Sequence, residues 1–133
     1  MTADVQRSSL THSAEDYLKA IYHLTSGGSP ASTNQLAEAL DLAPASVSGM
    51  LKRLAEQGLV DHEPYKGVTL APEGKRIALR MLRRHRLIEA YLVAHLGYSW
   101  DTVHEEAERL EHAVSDTLIE RMAQVLGDPQ EDP

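Results

Sequence analysis

The segment His104-Glu105-Glu106-Ala107-Glu108-Arg109-Leu110-Glu111-His112 places two imidazoles and four carboxylates within nine residues. His104, Glu108, Glu111 and His112 follow one another at intervals of four, three and one, so on a helix they share one face. Acids gathered this closely repel one another unless a cation takes up their charge. Carboxylate oxygens with imidazole nitrogens are hard-to-borderline donors, suited to Mn²⁺ or Fe²⁺ rather than Cu⁺. Upstream, His85 and Glu89 are also four apart. The plain alternatives are a solvated acidic face, which suits Glu105 and Glu106, and a helical ion pair for His85 and Glu89. Asp16 stands three residues after Ser13, the spacing of a capping box.

Other chemistries are excluded. The chain has no cysteine, so it has no thiol nucleophile, disulfide or thiolate metal site. It has no HExxH motif, and no paired Glu-x-x-His on two helices for a di-iron centre. An enzyme is not expected.

A second set of residues suits nucleic acid. Ala45, Ser46, Ser48, Gly49, Lys52 and Arg53 fall opposite the apolar positions Val47, Met50, Leu51 and Leu54. Small residues permit close approach to base edges, and Lys52 can reach phosphate. Thr33, Asn34 and Gln35 open a helix whose first N–H groups suit a phosphate oxygen. Tyr65 and Lys66 stand at the tip of a hairpin.

These residues need elements to position them. Ser13 is expected to cap a first helix carrying Tyr17, Leu18, Ile21 and Tyr22, ended by Ser26-Gly27-Gly28-Ser29-Pro30. Ser32 and Gln35 form a capping box for a second helix, and Pro44 suits the first turn of a third that Gly58 terminates. Leu59–Glu63 and Val68–Leu70 read as strands around Pro64-Tyr65-Lys66-Gly67, with Gly67 free to take positive φ. A long helix begins near Pro72 and closes at His95-Leu96-Gly97. Ser99 is expected to cap one last helix bearing Val103, Ala107, Leu110, Val114, Leu118, Met122 and Val125. Three short helices and a hairpin make a winged helix-turn-helix. The expected fold is mainly α with a small β-hairpin: an N-terminal winged helix-turn-helix, then a two-helix dimerisation region. Met81, Leu87, Tyr91, Val103, Leu110, Val114 and Leu118 are expected at the dimer seam.

The net charge of −7 is unevenly spread. Residues 1–70 balance at −3, residues 71–98 at +4 and residues 99–133 at −8. A basic surface for DNA is therefore compatible with an acidic chain. Arg80, Arg83, Arg84 and Arg86 either serve structure or face DNA. No apolar run is long enough to span a membrane and no secretory leader is evident, so a cytoplasmic location and no membrane partner are expected.

Ala14-Glu15-Asp16-Tyr17-Leu18-Lys19-Ala20-Ile21-Tyr22, Arg84-His85-Arg86-Leu87-Ile88-Glu89 and His104 to His112, in this order, resemble the diphtheria toxin repressor family. The resemblance runs from about residue 10 to residue 128 and implies a metal-activated, dimeric transcription regulator of metal homeostasis genes. It implies a primary metal site at Asp16, Glu108, Glu111 and His112, and an ancillary site at His85, Glu89 and His104. Iron-responsive members carry Met and Cys where this chain has Asp16 and Glu108. Two carboxylates there resemble the manganese transport regulator branch, so Mn²⁺ is expected, with Fe²⁺ or another divalent transition metal as the alternative. Lys19 stands where two-metal manganese regulators carry Glu, which argues against a binuclear cluster.

The expected organisation is a flexible N-terminus (1–12), a DNA-binding domain (13–72), a helical dimerisation and metal-binding domain (73–127) and the start of a linker (128–133), with a C-terminal SH3-like domain absent. The metal would clamp the reading head to the dimer base, and the homodimer would bind a palindromic double-stranded operator. The competing function is a winged-helix regulator that senses an organic ligand without metal.

Overall fold

The computed structural model describes residues 10–127. Of the flexible start expected over residues 1–12, residues 1–9 lie outside them, as does the linker expected over 128–133, whereas Thr11 and His12 are ordered at the start of the first helix. The chain divides into two compact units between Leu79 and Arg80.

In the first unit, helix α1 spans His12–Leu24. Its cap is Thr11, not Ser13: Thr11 is extended and its hydroxyl accepts the Ala14 N–H at 3.0 Å, while Ser13 is already helical. Asp16 therefore lies one turn inside the helix, and the capping box proposed for it does not form. Helix α2 spans Thr33–Leu40 and carries the expected box: Ser32 Oγ accepts from Gln35 N, and Gln35 Oε1 accepts from Ser32 N. Helix α3 spans Pro44–Glu56 with proline in its first turn. Leu18, Ile21, Leu36, Val47, Leu51 and Leu54 are fully buried, each at the helical spacing that turns it inward.

Strands β1 (Val60–Glu63) and β2 (Gly67–Leu70) pair antiparallel, Val60 opposite Leu70 and Glu63 opposite Gly67. A further pairing joins Ala31 to Val68 through two backbone hydrogen bonds of 2.8 and 3.0 Å. No periodicity announces it, because a single bridging residue has none. Gly67 takes φ +97°, and a Cβ there would sit 2.6 Å from the Ala31 carbonyl oxygen. Its glycine thus serves the turn and the close approach together.

Helix α4 spans Pro72–Leu96 and continues from the first unit into the second. The expected last helix is two: α5 (Val103–Glu111) and α6 (Asp116–Leu126). Ser99 does not cap α5 through its side chain; its carbonyl accepts from Thr102 and Val103 N–H groups. Ser115 caps α6, its hydroxyl accepting from Leu118 N at 3.1 Å. The turn between them resets the helical phase. Ile119, Met122 and Ala123 are buried, whereas Leu118 and Val125 are 45% and 58% exposed.

This corrects the expected dimer seam at Met81, Leu87 and Val103. Leu87 and Val103 belong to the second unit's own core, with Ile88, Leu92, Ala107, Ile119, Met122 and Ala123. Tyr91, Leu110 and Val114 pack against that core, and Met81 is buried. Of the seven residues placed at the seam, Leu118 remains exposed. As a separate helix, α6 contributes Ile119, Met122 and Ala123 to the unit's core.

Candidate metal centre

The α-helical repeat of α4 sets His85 and Glu89 one turn apart, and that of α5 sets His104, Glu108 and Glu111 on one face. Packing of the two helices around the shared core brings these faces together. Glu89 Oε2 lies 2.9 Å from His85 Nε2 and 3.1 Å from His104 Nδ1, and the two imidazole nitrogens are 3.1 Å apart. The other nitrogen of His85, Nδ1, lies 2.5 Å from Glu111 Oε1. Glu111 Oε2 is 3.6 Å from His112 Nε2, and Glu108 Oε2 is 3.7 Å from His104 Nε2.

Two groups of donors result within the second unit. His85, Glu89 and His104 each offer one atom within 4.8 Å of the others, and so do His85, Glu108 and Glu111. His85 belongs to both, although the sequence assigned it to the ancillary set alone. Exposure grades across the centre: the Glu111 side chain is fully buried and His85 is 12% exposed, while His104 is 65% exposed. A buried carboxylate requires a charge-balancing partner. Oxygen and imidazole donors converging around one fit a divalent transition ion, and the lack of thiolate or thioether donors here is unsuited to Cu⁺. Asp16 lies half-buried on α1, in the first unit.

The arginines near this centre are engaged within the second unit. Arg80 and Arg84 both bond Asp116 Oδ1, and Arg83 Nη1 donates to Glu120 at 2.9 Å. This favours the structural role for Arg80, Arg83 and Arg84. Asp116 escaped the sequence reading, since its partners Arg80 and Arg84 lie some thirty residues away and no local spacing marks it.

In the first unit, Ser46, Ser48 and Lys52 are exposed on α3 and Gly49 is half-buried, with Arg53 exposed beside them. Asn34 and Gln35 are exposed in the first turn of α2, and Thr33 is half-buried. The Gln35 N–H is already used in the capping box, so of the three first-turn N–H groups proposed for phosphate, it is committed to Ser32. Tyr65 is fully exposed at the hairpin tip with φ +65°, a left-handed conformation the sequence does not announce. Lys66 Nζ lies 3.6 Å from Glu63 on the exposed wing, a contact of little energetic weight.

Both parts of the chain match one family. Residues 9–68 match its "iron dependent repressor, N-terminal DNA binding domain", and residues 71–133 its "metal binding and dimerisation domain". A helix-turn-helix transcriptional regulator of Methanocaldococcus jannaschii is 40% identical over 114 residues, 85% of this chain and 91% of that protein. The regulator MntR of Lysinibacillus sphaericus is 33% identical over 123 residues, 92% of this chain and 88% of MntR. A solved manganese-dependent transcriptional repressor, in complex with manganese, superposes with a TM-score of 0.76 at 51% identity. That match covers 90% of this chain and 55% of the repressor, so the chain spans about half the length of that solved relative. With a DNA-binding half and a metal-binding, dimerising half both matched, the chain belongs to the iron-dependent repressor family of metal-dependent transcriptional regulators.

Proposed function

We propose that this chain is a cytoplasmic regulator that binds a palindromic double-stranded DNA operator as a homodimer when loaded with a divalent transition metal, Mn²⁺ before Fe²⁺. The observation that carries this reading is the donor cluster on α4 and α5, centred on His85 between Glu111 and Glu89. Glu108, Glu111 and His112 serve as primary ligands and His85, Glu89 and His104 as ancillary ones. Asp16 is the primary ligand contributed by the reading head, a role supported by its place in the sequence motif. A bound ion supplies the positive charge that lets these carboxylates stand together, and it offsets acidic charge that opposes DNA phosphates.

The reading domain covers 13–72 and the helical domain 73–127. Ser46, Ser48, Gly49 and Lys52 face the major groove, the first turn of α2 takes a phosphate, and Tyr65 and Lys66 form the wing contact. The choice of manganese rests on carboxylates at Asp16 and Glu108 and on relatives named as manganese regulators. A cytoplasmic location accords with DNA as partner; no described helix is long and apolar enough to cross a membrane.

Selection of sheared genomic DNA on the purified protein, once with Mn²⁺ and once with a chelator, tests this reading. Enrichment of a short palindrome with Mn²⁺ alone is expected. Equal enrichment in both would favour a regulator that senses an organic ligand without metal.

A further inference from the structure

Arg84 precedes His85 on α4 and is 6% exposed. Its guanidinium reaches across to the elbow between α5 and α6. Nε donates to the Glu111 carbonyl oxygen at 2.9 Å, Nη2 donates to the Val114 carbonyl oxygen, and Nη1 donates to Asp116 Oδ1 at 2.9 Å. Arg80 approaches the same carboxylate oxygen. The end of α5 and the turn to Ser115 expose carbonyls that no helical N–H reaches. A buried guanidinium is tolerated because it is paired and hydrogen-bonded.

The two ends of one residue are thus held by neighbours on α4. Arg84 grips the main chain of Glu111, and His85 meets its carboxylate at 2.5 Å. His112, the next residue, closes α5 and has its imidazole 3.6 Å from the same carboxylate. Glu111 is fully buried and Arg84 nearly so, so neither can drift without moving the elbow.

We propose that Arg84 is a positioning residue for metal binding: by holding the α5–α6 elbow to α4 it sets Glu111 and His112 in place before any ion arrives. The proposal rests on the assignment of Glu111 and His112 as ligands. Lysine offers one compact charge in place of a planar fork with five donors, so it cannot hold two carbonyls and a carboxylate in this spread. Partners that orient metal ligands are worth about 10- to 100-fold in affinity in other sites.

The test measures Mn²⁺ affinity by the paramagnetic resonance of free Mn²⁺, and melting in chelator, for the full chain and for Arg84→Lys, Asp116→Asn and Glu111→Gln. Asp116→Asn removes a charged partner of Arg84 but leaves both carbonyls to it. The expected result is loss of about 10-fold or more in Mn²⁺ affinity for Arg84→Lys, well below its melting temperature. Asp116→Asn is expected to melt lower yet keep affinity within about 3-fold, since it breaks only one strand of the grip. Wild-type affinity in folded Arg84→Lys would overturn the proposal, as would equal affinity losses in Arg84→Lys and Asp116→Asn that follow their melting temperatures. Failure of the unaltered chain to bind Mn²⁺, or undiminished binding by Glu111→Gln, would instead sink the ligand assignment, and the proposal with it.

Discussion

A carboxylate with no exposure to solvent, as at Glu111, loses hydration that only close partners can replace. His85 supplies one partner at 2.5 Å, and a divalent ion would supply a stronger one. Glu111→Gln keeps the shape of the side chain and removes its charge. The expected outcome is that Mn²⁺ no longer raises the melting temperature, while the chelated protein still melts cooperatively; differential scanning calorimetry in both conditions checks it. The spacing of His104, Glu108, Glu111 and His112 made this face legible in the sequence, because a helix fixes which side chains share a side. The place of His85 between Glu111 and Glu89 was not legible: which nitrogen meets which carboxylate depends on how α4 packs on α5. Tyr17 shows burial acting on a different group. Burial pushes its phenol up, with the Arg53 guanidinium opposing, so the folded state holds its proton more tightly than the unfolded chain does. Its contribution is fully present below about pH 10, the unfolded value, and is lost as pH rises through the folded value. Tyr17→Phe should therefore flatten the fall in stability as pH rises above about 10, as read from urea midpoints taken below and above that value.

At the scale of elements, the sequence was most informative where one residue type does a defined job. The Ser32–Gln35 box, Pro44 in the first turn of α3 and the left-handed glycines at 58, 67 and 127 all stand where the chain's chemistry asks for them. It was least informative where two readings share one periodicity. The apolar series from Val103 to Val125 suits a single helix as well as two, and Ser115 alone marks the break. A serine inside a helical pattern is ambiguous until its hydroxyl is seen to accept the Leu118 N–H. Ser115→Ala should lower stability by about 1 kcal/mol, the ordinary worth of an N-cap, and should loosen the elbow that carries His112. Gly74 was not singled out by the sequence, for a related reason. A Cβ there would sit 2.0 Å from the Leu59 carbonyl oxygen, a contact of α4 with the chain entering β1 that no local pattern reports. Gly74→Ala gains helix propensity but forces backbone apart. A net loss of about 1–3 kcal/mol is expected, as for other overpacked sites, with urea denaturation as the measurement. An unchanged or higher midpoint would mean the first turn of α4 can shift freely.

For the whole molecule, the charge pattern is the property that joins its two activities. Residues 99–133 balance at −8 and the chain at −7, so DNA is approached by a protein whose net field opposes phosphate. A divalent ion held by the donor cluster would reduce that opposition and stabilise the fold. Ligand linkage sets the size of the second effect: at free Mn²⁺ of 100 times its dissociation constant, stability rises by about 2.7 kcal/mol. Metal and operator affinities must then be coupled reciprocally, so operator DNA should tighten Mn²⁺ binding by the same factor that Mn²⁺ tightens DNA binding. The contacts themselves should separate by type. Lys52 is exposed on α3 and suits a phosphate, whereas Ser46 and Ser48 suit base edges. Lys52→Ala should weaken binding about equally on operator and unrelated DNA and reduce the slope of log affinity against log salt by about one per site. Ser48→Ala should instead leave that slope unchanged and relax discrimination among operators. Fluorescence anisotropy at several salt concentrations, with Mn²⁺ held saturating, distinguishes the two. A slope unaltered by Lys52→Ala would remove that face of α3 from the phosphate contacts and shift them to the first turn of α2 and the wing.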